Sequence, residues 1–156
     1  MSIKKAAATS FILFTVGDIT AQFIENNKFD KIRTAKFALI GSLIHGPWFF
    51  TAFRLLDKRL GPSVDIKSSI KKALISHIVV FPPYLCLFLG SSAALDGKPV
   101  VQNIQSKFIP IFVPGTGFWP LVNIGTFMLP SKYRMIYLNG CGIFWNSFLS
   151  NKTRKV

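Results

Sequence analysis

The sequence predicts an all-α integral membrane helix bundle, and three observations carry that reading. Apolar residues make up 50% of the 156 residues and charged residues only 16%, against about 25% charged in an average soluble domain. The mean hydropathy is +0.41. The apolar residues gather into five long runs, and the basic residues fall between them. A short chain has a high surface-to-volume ratio and needs much polar surface to dissolve. This chain has too little polar material to cover itself, so a bilayer must cover the rest. It forms one domain over 1–156, without an internal repeat or a low-complexity linker.

The five runs are 6–25, 35–56, 73–95, 108–129 and 133–150. A spanning helix needs about 20 mostly apolar residues, and all five qualify by length. In the second, Gly46-Pro47 is expected to bend the helix. In the third, Pro82-Pro83 does the same, because each proline removes a backbone bond and crowds the preceding turn. The fourth holds Pro110, Pro114, Gly115, Gly117 and Pro120, so its first half is not expected to be a regular helix. It reads as a kinked span, a re-entrant piece, or a helix beginning near Trp119. The expected architecture is therefore four spanning helices plus a Pro/Gly-interrupted fourth segment, with five spans as the alternative. Basic residues divide almost evenly between the two sides under either count, so the positive-inside rule leaves orientation open. A cleavable signal peptide is not expected, since no small-x-small site follows the first run before Asp18.

The net charge is +13, with a pI near 10.2. Such a balance fits nucleic-acid binding in a soluble domain. Here Lys and Arg sit in the connections between apolar runs, where membrane proteins meet anionic headgroups. The expected partner is the lipid bilayer, and nucleic acid is not. Cys86 and Cys141 both lie inside apolar runs and read as small buried hydrophobes. No Cys-x-x-Cys pair, dinucleotide fingerprint, phosphate loop or nucleophile elbow is present. His45 and His77 have no companions at metal-ligand spacing. Neither an enzyme nor a cofactor is expected.

The polar residues inside the runs are ordered. A helix turns 100° per residue, so positions i, i+3, i+7 and i+10 share a face. In the first run those positions are Thr15, Asp18, Gln22 and Glu25. In the third, His77, Tyr84 and Ser91 repeat every seven. In the fifth, Asn139, Gly142, Asn146 and Ser150 form a narrow face. The second clusters Ser42, His45 and Gly46, and the fourth offers Asn123 and Thr126. Such stripes join helices to one another, at about 1 kcal/mol or less per polar contact, or they line a watery path. Asp18 bears on the choice, because an acid at the bilayer centre costs about 2.5–3.5 kcal/mol on insertion scales and keeps a partner or water. The candidate pore-lining or interhelical residues are Thr15, Asp18, Gln22, Glu25, His77, Asn139 and Asn146. The candidate bends are Gly46, Pro47, Pro82, Pro83 and Pro120.

Several blocks in order carry a resemblance. They are GDITAQ (17–22), RTAKFALIGSLIHGP (33–47), FRLLDKRLG (53–61), KKALISHIVVFPP (71–83), LDGKP (95–99), FWPLVNIGTFMLPSKYR (118–134) and FWNSFLS (144–150). Together they resemble the family of the 22-kDa peroxisomal membrane protein and its mitochondrial inner-membrane relatives (the Mpv/PMP family), over nearly the whole chain. The sequence departs from the family pattern at Ser76 and His77, where an Asp-Gln pair is usual. The resemblance implies an organellar membrane protein with four spanning helices, in the mitochondrial inner membrane or else the peroxisomal membrane. It implies passage of small solutes and a role in organelle homeostasis, with homo-oligomers possible. The rival reading is a non-conducting membrane organiser whose stripes bind partner helices.

Overall fold

A computed structural model describes residues 2–25, 28–62 and 64–153, with side chains described as far as Trp145. Every element in this range is helical. Five long helices follow one another: α1 (Ile3–Glu25), α2 (Lys31–Leu60), α3 (Ile66–Leu95), α4 (Val100–Met128) and α5 (Ser131–Thr153). The first four are long and apolar enough to cross a membrane. The fifth is more polar and is not among them.

The connections are short and capped. Asp30 accepts from the backbone N–H groups of Ile32 and Arg33 at the start of α2, and Asp65 accepts from Ser68 at the start of α3. These are the N-cap bonds that satisfy a helix's orphan donors. At the end of α3, Gly97 adopts φ +65°, while the N–H groups of Gly97 and Lys98 return to the carbonyls of Ala94 and Ala93. That is a Schellman stop, and it requires the left-handed conformation glycine allows.

Short connections force neighbours to run antiparallel. Asn103 on α4 bonds the Leu89 carbonyl on α3 near one end, and Thr116 meets His77 further along. The α4–α5 hairpin puts Tyr137 beside Gly125 and stacks Trp145 on Phe118. Helix α5 lies along α1 in the same direction, with Asn139 against Ser10. The core between the helices is largely aromatic, built on Phe49, Phe53, Phe81, Tyr84, Phe127 and Leu138. Outside, Leu43, Ile78, Leu121 and Phe144 are exposed, as is Phe23, at 86%. In water that belt would be costly; in lipid it is the expected surface.

Lipid tails are as apolar as leucine, so apolar burial alone does not draw such helices together. Close backbone approach does part of the work. A Cβ added at Gly46 would lie 2.7 Å from the Ala6 carbonyl oxygen, and one at Gly41 would meet Phe14 at 2.6 Å. Two glycines of α2 thus let it press against α1.

The expected proline sites resolve in two ways. In α2 the α-helix gives way to a π-helical turn at Gly41–His45, directly before Gly46-Pro47. In α3 a second π turn, Ser76–Val80, directly precedes Phe81 and Pro82-Pro83. The Gly46 N–H reaches back to Gly41 and the Phe81 N–H to Ser76. One wide turn makes room for the ring that follows. The Trp48 indole donates to the Val80 carbonyl at 3.3 Å, so a neighbouring helix serves a backbone acceptor where the ladder changes.

The fourth segment corrects the sequence reading. Val100–Met128 is one unbroken α-helix with Pro110, Pro114 and Pro120 inside it. Each proline deletes one donor, but the flanking bonds persist. No water competes for backbone groups in hydrocarbon, so continuing the helix costs less than breaking it there. Among the described residues this segment, expected to be the interrupted one, is one of the four helices long and apolar enough to cross a membrane.

Candidate functional site

Three polar assemblies occupy successive levels of the bundle. The first clasps α1 to α2 at one end. Asp18 is 3% exposed and accepts three bonds: Arg33 Nε at 2.8 Å, Thr34 Oγ1 at 2.7 Å and Gln22 Nε2 at 2.7 Å. Arg33 also grips Glu25 through both terminal nitrogens, at 2.6 and 3.0 Å. Gln22 binds the α1–α2 connection, accepting from the Asp30 N–H at 2.6 Å and donating to the Asp30 carbonyl at 3.1 Å. Gln22, Glu25 and Asp18 share a face because that face meets α2. Thr15 lies on the same stripe but outside the clasp; its hydroxyl donates to the Phe11 carbonyl of its own helix at 2.8 Å.

The second assembly is a waist. A cavity of about 100 Å³ lies where all five helices meet, and Phe14, His45, Tyr84, Asn123 and Asn139 line it, one from each helix. His45 is the fifteenth of the thirty residues of α2, so the cavity lies near mid-depth. Asn139 donates to Ser10 Oγ at 3.2 Å, and Ser10 Oγ lies 3.4 Å from His45 Nδ1. Those three residues link α5, α1 and α2, and each is at most 6% exposed. Rings of Phe14, Phe49 and Tyr84 surround His45 at centroid distances of 4.8–5.4 Å. Asn123 Oδ1, Asn139 Oδ1 and Trp119 Nε1 are buried without a hydrogen-bond partner among the described residues, and all three residues line this cavity. Unpaired buried polar atoms are costly in a low-dielectric interior. A polar occupant would satisfy them.

The third assembly lies at the opposite end from the clasp. Asp57 on α2 accepts from Lys72 Nζ on α3 at 2.7 Å and from Arg134 Nη1 on α5 at 2.5 Å. Lys72 and Arg134 side chains are 0% and 4% exposed. Both cations lie against the face or edge of fully buried Phe127, at 5.8 and 5.2 Å from its centroid. Arg134 further donates through Nε to the Leu129 carbonyl at 2.9 Å, anchoring the α4–α5 turn.

His77 stands apart from the waist. It stacks between Phe81 and Phe112, and its Nε2 lies 3.2 Å from Thr116 Oγ1. The side chain of Asn146 lies outside the described residues. Sequence reasoning did not assign Arg33, Asp57, Lys72 or Arg134 to any site. A signal existed: the last three stand in FRLLDKRLG, KKALISHIVVFPP and FWPLVNIGTFMLPSKYR, three blocks of the family resemblance whose charged members meet in space.

Comparison with known proteins now bears on the whole chain. The model of the Mpv17 / PMP22 family matches residues 93–150, from the end of α3 through most of α5. Protein SYM1 of Gibberella zeae is 32% identical over 150 residues, taking in 92% of this chain and 86% of that protein. The mitochondrial inner membrane protein Mpv17 of Danio rerio is 30% identical over 161 residues, with 98% and 90% covered. This chain belongs to the Mpv17 / PMP22 family. A PXMP2/4 family protein of Dictyostelium discoideum is 29% identical over 157 residues, with 95% and 84% covered. No solved structure matches the chain. Family membership and four long apolar helices agree on an organellar membrane protein, of the mitochondrial inner membrane or of the peroxisome.

Proposed function

We propose that this protein forms, or contributes to, a passage for small solutes across its organelle membrane, with the waist as its narrow point. The observation that carries the reading is the cavity at mid-depth, to which all five helices contribute and which holds three unpartnered polar atoms. A cavity of about 100 Å³ has room for several waters. Two π turns abut the waist, one ending in His45 and the other leading into Phe81. Such turns are frequent at functional sites, and here they give α2 and α3 a place to adjust. The organiser reading fares less well. The stripe residues of α1, Thr15, Asp18, Gln22 and Glu25, are engaged inside the subunit, so a partner helix would have to use the lipid-facing belt instead.

The test is release from liposomes holding the purified protein, loaded with uncharged solutes of graded size. Small solutes should escape faster than from protein-free vesicles. Asn123→Leu with Asn139→Leu should slow that escape while the protein stays folded, and Phe49→Ala should raise the size limit. Release no faster than from protein-free vesicles would remove the passage reading.

A further inference from the structure

The charged end of the bundle carries a feature that the passage does not use. Lys72 and Arg134, two buried cations, share the single carboxylate of Asp57. Beside them an open depression of about 450 Å³ lies between the later part of α2 and the start of α5. Phe50, Phe53 and Met135 make its apolar walls, Arg54 and Arg134 add positive charge, and Asp57 and Ser131 complete the lining. Arg54 is exposed, with its guanidinium 5.6 Å from the centroid of the Phe50 ring. No acidic partner reaches it among the described residues.

We propose that this depression binds the phosphate of an anionic lipid headgroup. Charge is the first reason: two guanidinium groups, Arg54 and Arg134, line the depression against one carboxylate, Asp57, and Asp57 is already bonded to Arg134. Depth is the second. Arg54 lies six residues before the end of α2, Leu60, which at 1.5 Å per residue is about 9 Å below the helix end. That is the level where headgroups meet acyl chains in a bilayer whose polar and apolar layers together measure about 40–45 Å. Shape is the third. A guanidinium offers a phosphate paired donors, and the aromatic walls suit the glycerol and first methylenes, which a free aqueous anion lacks. The start of α5 at Ser131 adds the partial positive charge of a helix N-terminus at the same rim. Basic pockets between transmembrane helices are a general means of holding anionic lipids.

The experiment uses the full chain in neutral detergent at constant ionic strength. Its unfolding midpoint is followed during titration with phosphatidylglycerol, with phosphatidylcholine of the same chains, and with inorganic phosphate. A ligand that binds only the folded state stabilises it by RT ln(1 + L/Kd), where L is the free ligand concentration, and raises the midpoint accordingly. Phosphatidylglycerol should raise it by several degrees, and the other two should leave it within a degree. Arg54→Ala should weaken the phosphatidylglycerol response about fivefold, Arg54→Glu should abolish it, and Lys28→Ala at the opposite end should leave it unchanged. Arg54 is exposed, so both of its variants should unfold without lipid as the wild type does. Equal responses to the two lipids, an Arg54→Glu titration that matches wild type, or full reproduction by inorganic phosphate would each overturn the proposal. Solute release is not read, so this test stands or falls separately from the passage.

Discussion

The two charged assemblies, at opposite ends of one bundle, are built in opposite senses. At the clasp two carboxylates, Asp18 and Glu25, converge on Arg33. At the other end two cations, Lys72 and Arg134, converge on Asp57. Burial differs as well. The Arg33 side chain is 33% exposed, while Lys72 and Arg134 are nearly inaccessible. The clasp joins two consecutive helices through a short connection. The Asp57 cluster joins α2, α3 and α5 across up to 77 residues of sequence. One fixes a local hairpin and the other closes the bundle. Removing each central acid should therefore have unequal consequences.

The largest effect should follow from Asp57→Ala. Breaking a buried ion pair from one side costs about 3–5 kcal/mol, because the remaining charge is buried without compensation. Here two cations lose a shared partner at once. The variant should accumulate poorly in membranes, and its detergent-solubilised form should unfold far below wild type; Asp57→Glu should recover part of the loss. A midpoint close to wild type for Asp57→Ala would erase the distinction between the two ends.

Asp18→Asn should rank second. Arg33 keeps Glu25, and Thr34 and Gln22 keep an oxygen acceptor. What is lost is the charge behind three short bonds, worth about 1.5–3 kcal/mol for bonds to an ionised group. If the narrow point lies at the waist, this variant should be less stable but should pass the same solutes with the same size limit. A change in charge selectivity without loss of stability would return Asp18 to the lining of a path.

Gly46→Ala tests what the clasp merely assists. The new methyl would meet the α1 backbone at Ala6 and Ala7 at 2.7–2.9 Å, and backbone yields less readily than a side chain. Overpacking of this kind costs about 1–3 kcal/mol. Thermal unfolding of the detergent-solubilised protein should show it as a lowered midpoint. If Gly46→Ala proves as stable as wild type, α1 is held by polar bonds rather than by close approach.

Much of this architecture was legible in the sequence. Composition gave the membrane, periodicity gave the helices, and the stripe at Asp18, Gln22 and Glu25 pointed to a face turned from lipid. What that face meets was not legible, since Arg33 and Thr34 lie on another helix and a charge near a run's edge reads as a loop charge. Lys72 illustrates the difficulty: its block of the family resemblance begins with two lysines, and nothing in that block tells the fully buried Lys72 from Lys71 beside it. Proline counting misled at Pro110, Pro114 and Pro120, because local rules derived in water price a broken helix too cheaply in hydrocarbon. The waist was read in part. Asn139 was singled out from its stripe, but its meeting with Ser10 and His45 depends on which helices become neighbours, and no spacing encodes that.

The smallest effect should come from a third ion pair, at the clasp end but near the surface. Lys36 Nζ donates to Asp96 Oδ1 at 2.7 Å, and Lys98 approaches the other oxygen at 3.3 Å. The hydrogen bond from Lys36, with further help from Lys98, holds the Asp96 carboxyl below its ordinary value. A carboxyl depressed in the folded state favours folding above its unfolded value of 3.8, and that contribution fades as pH falls through the lower folded value. Both side chains are about a third exposed, so water and salt screen the pair and its worth should be under about 1 kcal/mol. Asp96→Asn should thus shift the unfolding midpoint slightly at neutral pH, less in high salt, and not at all once the wild-type carboxyl is itself protonated. The pair also spans from α2 to the end of α3, as the Asp57 cluster does from the other side. A large salt-insensitive loss in Asp96→Asn would mean that connectivity across the bundle, rather than burial, sets how much an ion pair matters here.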